Sequence, residues 1–436
     1  NMPALMELRI RACHVRGSFT ARDNQPPTVS TRALMDEPAA FDYSRLAHPP
    51  VTFRHEKLKH EERVPAARRY IVEHSLNDLL PGEHEDLGII VQGGLTHTLV
   101  RALQQFGLAD AFGELDIPTL VLNVTSPLVP DQIANFCMGK RAVLVLEEGQ
   151  PEYIEQEIAT LLRRRDIQTP LNGKDLLPMG GEYTVEVIAA GLAAWLNQVL
   201  PAFDTASVQA WLDGNRIRRA EVSKSLPAPL PARPPGFCIG CPERPVFSAI
   251  KLAQETVGPL HVAADIGCHA FATFEPFSTG HTILGYGMSL ASRAGVSPHM
   301  SRRVLSIMGD GGFWHNGLLT GVQSALFNGD DAVLLIFKNG YTSATGTQDI
   351  LSTPDDEVKE HASDKAQSLV HTNQTIENAL KGLGVQWLRI VNTYDVAKMR
   401  ATLTDAFTSD FNGLKVIVAE GECQLERQRR IKPWIA

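Results

Sequence analysis

The 436-residue sequence has no excess of positive charge, no long apolar run and few cysteines. Its formal net charge of -8 gives no electrostatic reason to expect nucleic acid or an anionic membrane as the main partner. No uninterrupted apolar segment could span a bilayer, and the first residues lack the charged, apolar and small-residue order of a signal peptide. We therefore expect a protein of the cytoplasm that binds neither nucleic acid nor membrane, and whose partner is a small molecule or a protein.

The chain contains six cysteines. This number is too low for a disulfide-stapled scaffold of this length, so metal ligation or redox chemistry is the more informative interpretation. Cys13 and Cys137 lie in apolar contexts, where we expect small buried thiols. The remaining four cysteines lie in the C-terminal half of the chain.

Proline-rich stretches and apolar runs divide the chain into four segments. Residues 1–80 contain a strand-like run, "LMELRIRACHV", and proline-bearing polar stretches, which indicate the tail of an upstream domain, a connector and a longer polypeptide. Residues 81–200 alternate apolar β-branched runs with helical patterns, which predicts an α/β domain with a parallel sheet covered on both faces. Residues 201–235 lose this periodicity and include "SLPAPLPARPPG", which predicts a semi-rigid linker. Residues 236–436 again alternate strand and helix patterns and predict a second doubly wound α/β domain.

The stretch "VLSIMGDGGFWHNGLLTG" places Asp310 in a glycine turn between an apolar run and a helix-like run. In open parallel sheets, ligands bind beyond the carboxyl ends of the strands, where a helix N-terminus faces an anion. A carboxylate there would repel a phosphate unless a divalent cation lay between them, and Mg²⁺ fits best because it prefers hard oxygen ligands. Asn339 follows the next apolar strand, so it can supply a second oxygen at the same sheet edge, with a backbone carbonyl near Tyr341 as a third.

A glycine–aspartate–glycine turn by itself is most often only a turn. Here the turn follows a strand and is itself followed by a helix, a second strand and Asn339. That combination is the pattern of thiamine diphosphate sites, and it favours cofactor binding over a purely structural turn.

The four C-terminal cysteines are widely spaced. Cys238 and Cys241 lie in "FCIGCPERP", Cys268 lies in "ADIGCHAF" and Cys423 lies in "AEGECQLERQ". This is not the spacing of a local zinc site. In a parallel α/β domain the entry segment and two strand ends can converge, so these thiols could hold one cluster or metal, and four thiolates would close a [4Fe–4S] cube.

In this order, the motifs resemble those of the 2-oxoacid:ferredoxin oxidoreductases. "CIGCPER", "DIGCHAF", "GDGGFWHNG" and "KNGYTSATGTQ" are similar to the thiamine-binding domain of that family, most closely in the large subunits of the indolepyruvate type. Residues 87–165, with "VLNVTSPLVPDQIANF" and "AVLVLEEGQPEYIEQEI", resemble the transketolase C-terminal-type domain that precedes it there. The resemblance therefore implies a transketolase C-terminal-like domain followed by a thiamine-diphosphate-binding fold.

Carried over position by position, the resemblance implies that Mg²⁺ binds Asp310, Asn339 and the backbone carbonyl of Tyr341. The cofactor-binding residues that it implies are those of the same motifs, namely Gly267, Cys268, Gly309, Asp310, Gly311, Gly312, Asn339, Tyr341 and Thr342. It further implies that one [4Fe–4S] cluster, next to the cofactor, is held by Cys238, Cys241, Cys268 and Cys423. The Glu that activates the aminopyrimidine is expected in a pyrimidine-binding domain upstream of residue 1.

Three positions depart from the family pattern. Ile239 stands where the family usually has Pro, and Glu243 stands where it has His. Lys338 precedes the predicted metal ligand Asn339, where Asp is common. We expect Lys338 to change the affinity for the diphosphate without abolishing it. A clustered, ferredoxin-type cysteine run is also missing from the sequence, so electrons leaving the chain would need another carrier.

The activity that the resemblance implies is an oxidative decarboxylation of a 2-oxo acid that depends on thiamine diphosphate and iron–sulfur. An aryl-pyruvate such as indolepyruvate is the implied substrate, with coenzyme A as co-substrate. The implied partners are a small gamma-type subunit, ferredoxin or another electron acceptor, and a second copy in a homodimer. Two alternatives remain open, which are a non-redox thiamine-dependent decarboxylase or synthase and a non-catalytic scaffold subunit.

Further residues near the motifs are candidates for the pocket. They are His269, His281, Phe313, Trp314 and His315. We expect His281 and His315 to be structural or at the surface more often than catalytic, and an aromatic residue after a glycine turn is usually part of the core.

Overall fold

The computed structural model describes residues 3–9, 18, 20, 41–228, 235–354 and 374–431. The chain divides into two compact units, Asn1–Leu230 and Pro231–Ala436. Each unit is built around one mainly parallel sheet.

The first unit contains a five-stranded sheet. Its strands, in chain order, are β1 Asp78–Leu80, β2 Leu87–Gln92, β3 Thr119–Leu122, β4 Ala142–Leu146 and β5 Leu171–Asn172. They lie in the order β1-β3-β2-β4-β5, and only β1 is antiparallel to its neighbour.

The unit also contains helices, several of which pack on the two faces of this sheet. They are α1 Val51–Leu58, which continues through a π-helical turn Lys59–Arg63 into α2 Val64–Glu73, then α3 Thr96–Gln105, α4 Pro130–Cys137, α5 Tyr153–Arg164, α6 Val185–Val199 and α7 Ala206–Ser225. Ile89 of β2 packs into a core formed with α3 and α6, whereas Ile90 packs on the opposite face with α4 and α5. The continuous apolar run of β2 is therefore buried on both sides, as expected for a central parallel strand.

The second unit contains a six-stranded parallel sheet and a two-stranded antiparallel hairpin. The strands of the unit are β6 Val262–Ala264, β7 Thr282–Ile283, β8 Leu305–Gly309, β9 Val333–Lys338, β10 Tyr341–Thr342, β11 Gln348–Asp349, β12 Trp387–Asn392 and β13 Lys415–Glu420. The large sheet has the order β12-β13-β9-β8-β6-β7, and β10 pairs with β11.

The second unit also contains helices, most of which pack on the two faces of its large sheet. They are α8 Glu243–Val257, α9 Ser289–Val296, the composite helix α10, with segments Asp310–Gly312, Phe313–Gln323 and Ser324–Phe327, and then α11 Ile376–Gly382, α12 Val396–Thr408 and α13 Gln424–Ile431. Ile307 of β8 packs on the side of α8 and α12, and Met308 packs on the side of α10 and α11. These alternating burial partners confirm the predicted fold class of two doubly wound, mostly parallel α/β sheets.

The prediction of a linker at residues 201–235 is wrong over most of that range. Residues 206–225 form helix α7, whose first turns carry Val208, which is buried, and Trp211, which packs against the core of the first unit. The remainder of α7 is polar and exposed, so its sequence shows little helical periodicity. Part of the proline-dense stretch, residues 229–234, lies outside the described residues.

The segment predicted as a tail and connector also has more structure than expected. Helices α1 and α2 occupy much of residues 51–73, and β1 joins the sheet before residue 81. The predicted apolar strand near the start is absent from residues 3–9, and its remainder lies outside the described residues. Within the described ranges, no helix combines the length and apolar character that a bilayer span requires.

An ion cluster ties three strands of the second sheet together. Asp331, just before β9, accepts hydrogen bonds from Lys415 Nζ at 2.6 Å and from Arg303 Nε at 2.8 Å. The Lys415 side chain is completely buried. Burial opposes ionisation of Asp331, but these two cations hold its pKa below the ordinary value.

Replacing Asp331 with Asn should lower the free energy of unfolding by about 1–2 kcal/mol, because the buried Lys415 loses its counter-charge while solvent partly screens the 35% exposed Asp331. Because the pKa of Asp331 is lower in the folded than in the unfolded chain, its ionised form stabilises the fold above the unfolded-state pKa, and this stabilisation is lost on acidification. The wild type should therefore lose it below about pH 4, and the variant, which has no carboxylate there, should not. Denaturant unfolding at several pH values measures both effects. The exposed Asp410→Asn variant is the control, and equal stability of D331N and D410N would contradict the prediction.

Candidate functional site

A cavity of about 320 Å³ opens at the carboxyl ends of β6, β8 and β9. From β6 the chain adds β7 on one side, and then places β8 on the other side. The strand order therefore reverses between β6 and β8, and this is where doubly wound sheets bind ligands. The loop after β6 contributes Gly267 and Cys268 to the wall, and the turn after β8 contributes Asp310.

Asp310 connects the ends of two neighbouring strands. Its Oδ2 accepts the backbone N–H groups of Asn339 at 2.8 Å and Gly340 at 2.7 Å, and its Oδ1 accepts that of Gly311 at 2.9 Å. The side chain is 1% exposed. Burial raises the pKa of Asp310 to about 7, although the three N–H donors favour the charged form. The predicted pair of Asp310 and Asn339 therefore meets at one sheet edge.

Asn339 is held by its own loop. Its Oδ1 accepts the Tyr341 backbone N–H at 3.1 Å and the Ser343 hydroxyl at 3.0 Å. Asp310, Asn339, Tyr341 and Thr342 all line the cavity. A carboxylate, an amide oxygen and a nearby backbone carbonyl form a set of hard oxygen donors, so the residues present fit Mg²⁺ bound to a diphosphate.

The glycines of the turn are required by close protein neighbours. A Cβ on Gly311 would lie 2.2 Å from Tyr286 Oη and 2.3 Å from Thr342 Oγ1. A Cβ on Gly312 would lie 2.2 Å from Asp265 Oδ2. A side chain at either position would therefore force the cavity wall to move.

A buried pair holds the loop after β6. His269 Nε2 lies 2.6 Å from Asp265 Oδ1, and Asp265 Oδ2 accepts the Gly287 backbone N–H at 2.7 Å. Burial disfavours charge on His269, but the Asp265 carboxylate raises its pKa above the ordinary value. The two residues bracket Gly267 and Cys268, and so fix their position at the cavity.

Glu243, the residue at which the family usually has His, lies in the cavity wall. It is 3% exposed, and among the described residues its Oε2 has no hydrogen-bond partner. Burial raises its pKa to about 7, with Asp310 and Asp265 adding to the rise and His269 opposing it. Sequence reasoning noted Glu243 only as a departure and did not assign it to the site.

Asp265 and Tyr286 were also missed by the sequence reasoning. Asp265 directly follows β6, just as Asp310 follows β8, so the same strand-end argument could have found it. Tyr286 lies between two glycines in "LGYGMS", in a loop whose position relative to α10 has no sequence signal.

The four cysteines come from the segments predicted to converge. Cys238 and Cys241 precede α8, Cys268 follows β6 and Cys423 lies between β13 and α13. Burial, and then the neighbouring Glu243, raises the pKa of Cys241 to about 12. Burial also raises the pKa of Cys268, with contributions from Glu243 and from the other three of these cysteines.

The segment that carries Cys241 contacts the segment that carries Cys423, since a Cβ on Gly421 would lie 2.8 Å from Pro242 Cβ. Within the part of the chain that is described, however, no three His, Cys, Asp or Glu residues are grouped so that they could hold a metal ion. The donor chemistry fits an iron–sulfur cluster, whereas the side-chain positions do not form a finished site. Cys137 is buried, as expected, and Cys13 lies outside the described residues.

Lys338 does not line the cavity. Its Nζ lies 2.8 Å from Glu377 Oε1 and 2.9 Å from Glu420 Oε1. Burial opposes its charge, but these two carboxylates raise its pKa above the ordinary value. The charge of Lys338 is thus compensated locally, and the structure argues against the expected effect on the diphosphate.

Of the five further pocket candidates, His269 lines the cavity. The other four have structural contacts. His281 Nδ1 accepts the Val262 backbone N–H, Phe313 is completely buried in the core and Trp314 donates to the Ser352 hydroxyl at 2.9 Å. The His315 ring lies 5.1 Å from the ring of Tyr286.

Comparison with known proteins agrees with this geometry. Residues 265–419 match the family model described as "Thiamine pyrophosphate enzyme, C-terminal TPP binding domain". This segment contains the glycine turn, Asn339 and the loop after β6, so the part of the second unit that forms the cavity is similar to thiamine diphosphate-binding domains.

The more particular resemblance is to indolepyruvate oxidoreductase subunits. The chain is 27% identical over 432 residues to "Indolepyruvate oxidoreductase subunit IorA" of Methanothermobacter marburgensis, which covers 97% of this chain and 62% of that protein. It is 28% identical over 371 residues to the protein of the same name from Archaeoglobus fulgidus, which covers 85% of this chain and 54% of that protein. The resemblance predicted from the motifs is confirmed, and the chain spans about three fifths of the length of these relatives.

Similar solved structures are more distant. A 2-oxoglutarate:ferredoxin oxidoreductase from Magnetococcus marinus is 14% identical, with a TM-score of 0.37, and the match covers 44% of this chain and 66% of that one. A thiamine diphosphate-dependent 4-hydroxybenzoylformate decarboxylase from Rhodococcus jostii is 14% identical, with a TM-score of 0.31 over 77% of this chain and 61% of that one.

Replacing Lys338 with Met should leave the affinity for thiamine diphosphate within about twofold, because its charge is directed to Glu377 and Glu420 instead of the cavity. The free energy of unfolding should fall by about 1–3 kcal/mol, because the mostly buried carboxylate of Glu377 loses its ion-pair partner. Calorimetric titration and denaturant unfolding measure the two effects, with the exposed Lys381→Met as the control. If Lys338→Met lost much of its affinity for thiamine diphosphate at an unchanged free energy of unfolding, the expectation that Lys338 acts on the diphosphate would be right.

Proposed function

We propose that this chain is the cofactor-binding part of a 2-oxoacid oxidoreductase that uses thiamine diphosphate and Mg²⁺. The observation that carries this proposal is the meeting of Asp310 and Asn339 at the wall of one cavity, at the point where the strand order reverses. The match of residues 265–419 to a thiamine pyrophosphate-binding domain supports the identity of the diphosphate. Similarity to indolepyruvate oxidoreductase subunits supports the class of reaction.

The residues of this chain would bind and orient the cofactor. Asp310, Asn339 and the carbonyl of Tyr341 would hold Mg²⁺. Gly311 and Gly312 would leave room for the Tyr286, Thr342 and Asp265 side chains to pack against the turn. Gly309, Gly267 and Cys268 would complete the same wall. When bound, thiamine diphosphate supplies the chemistry that cleaves the bond between the keto carbon and the carboxylate of a 2-oxo acid.

Electron removal would require the cysteines. We propose that Cys238, Cys241, Cys268 and Cys423 hold one [4Fe–4S] cluster, on the basis of their thiol chemistry and of the contact between the segments that carry Cys241 and Cys423. Because Cys268 also lines the cofactor cavity, the cluster would lie next to the cofactor. Its assembly would have to bring the four side chains closer together and remove protons from their thiols.

The names of the relatives support the proposed substrate, and the proposed co-substrate and partners rest on the motif resemblance. We propose an aryl-pyruvate such as indolepyruvate as substrate and coenzyme A as acyl acceptor. The remaining machinery would be an upstream domain that carries the activating Glu, a small gamma-type subunit, ferredoxin or another electron acceptor, and a second copy of the unit. We propose that this assembly works in the cytoplasm.

The metal-binding role of Asp310 can be tested by titrating thiamine diphosphate into the complete protein, with its co-purifying subunits, in Mg²⁺ or in EDTA. The Asp310→Asn variant should bind at least about 30-fold more weakly in Mg²⁺, because a buried charge that holds the cation is lost. Asp410→Asn, an exposed change of the same kind, should bind like the wild type. Equal binding by D310N and D410N would remove the basis of the proposal.

The cluster can be tested by iron and sulfide analysis of protein that is purified without oxygen. The wild type should be brown with about four irons per chain, and Cys423→Ser should lose them. Cys137→Ser, which removes a buried thiol of the first unit, should keep them. A colourless, iron-free wild type that still binds thiamine diphosphate would favour a non-redox decarboxylase or synthase, and one that binds no cofactor would favour a scaffold subunit.

A further inference from the structure

Tyr286 lies in the wall of the cofactor cavity, although no motif pointed to it. It belongs to the loop between β7 and α9. Its Oη lies 2.9 Å from Thr342 Oγ1. Thr342 lies in the segment after β9, three residues beyond Asn339. The tyrosine thus connects a loop from the β6–β7 side of the sheet with the loop that carries the predicted metal ligand.

Both hydroxyl oxygens face the glycine turn. A Cβ on Gly311 would lie 2.2 Å from Tyr286 Oη and 2.3 Å from Thr342 Oγ1, so the two oxygens occupy the space beside the Gly311 Cα. Gly311 follows Asp310 directly, at the first turn of α10. The hydroxyl pair therefore lies in the wall of the same cavity as Asp310, beside the residue that follows it.

The loop that carries Tyr286 is fixed against α10. Gly287 has a φ of 76°, and its backbone N–H donates to Asp265 Oδ2 at 2.7 Å. A Cβ on Gly287 would lie 2.5 Å from the Gly312 carbonyl oxygen, so the loop contacts the helix backbone directly. The ring of Tyr286 also lies 5.1 Å from that of His315, on α10. These contacts leave the phenol little freedom to turn away from the cavity.

The two hydroxyls have hydrogen-bonding capacity to spare. Each can donate one hydrogen, and their mutual bond uses one of the two. Within the described ranges, neither Tyr286 Oη nor Thr342 Oγ1 makes another hydrogen bond with the protein. The second hydrogen is therefore available for an acceptor in the cavity, and oxygens of a diphosphate are strong acceptors.

We propose that Tyr286 and Thr342 form a hydroxyl pair that donates one hydrogen bond to the diphosphate of the cofactor, which makes Tyr286 a positioning residue for that group. The inference rests on the proposed thiamine diphosphate function. It adds a donor from a fourth segment, the loop between β7 and α9, to the ligands that the motifs supply after β6, β8 and β9, and this donor recognises the phosphate oxygens instead of the organic rings.

The test compares Tyr286→Phe, Thr342→Val and the double variant of the complete protein, by calorimetric titration in Mg²⁺. Two probes are used, thiamine diphosphate and inorganic diphosphate. Loss of a hydrogen bond to a charged group should weaken the binding of both probes by about tenfold in Y286F. The two hydroxyls act together, so removing both should cost little more than removing one. The double variant should bind each probe at most about twofold more weakly than the single variant with the lower affinity. The exposed Tyr153→Phe serves as the control and should bind like the wild type.

Phe keeps the ring and its packing, so the melting temperature of Y286F should stay close to that of the wild type. Unchanged affinity of Y286F for both probes would overturn the inference and leave the proposed function intact. Weaker binding of thiamine diphosphate alone would also overturn it, because the contact would then be with the rings. If the wild type binds neither probe, the proposed function fails and the inference fails with it.

Discussion

The candidate site depends on the hydrogen bonds that the backbone N–H groups of Asn339 and Gly340 donate to the Asp310 carboxylate. The carboxylate is almost completely buried, so it needs these donors to remain in the protein interior as an anion. The same hydrogen bonds align the turn after β8 with the turn after β9. In the proposed function, the side chain that joins the two strand ends would also present oxygen to Mg²⁺, so that one residue would serve both folding and binding.

The sequence allowed the main features of the fold and the site to be predicted, because both follow from local patterns. Continuous apolar runs separated by helices predicted two parallel sheets, and residues directly after such runs predicted Asp310 and Asn339 as neighbours. Helix α7 was missed because only its first turns pack against a core, through Val208 and Trp211. Its polar remainder has no periodicity from which a helix could be predicted.

Glu243 and Tyr286 could not be predicted for a different reason. Each reaches the cavity from a segment whose placement depends on packing against other elements, since Glu243 starts α8 and Tyr286 lies in a loop held by Asp265. Lys338 shows the opposite case, because a change of charge that looks important in the sequence is compensated by Glu377 and Glu420. Charge near a motif therefore has functional meaning only when the direction of the side chain is known.

The backbone bonds to Asp310 also affect the thermodynamics of cofactor capture. Because residues 339 and 340 are already fixed to the carboxylate, folding has removed the conformational freedom of this turn before any ligand arrives. Association with the proposed cation and diphosphate would then lose less entropy than it would with a loop that orders only on contact, and more of the interaction would become affinity. At this edge of the sheet, the chain is therefore preorganised for the proposed cofactor.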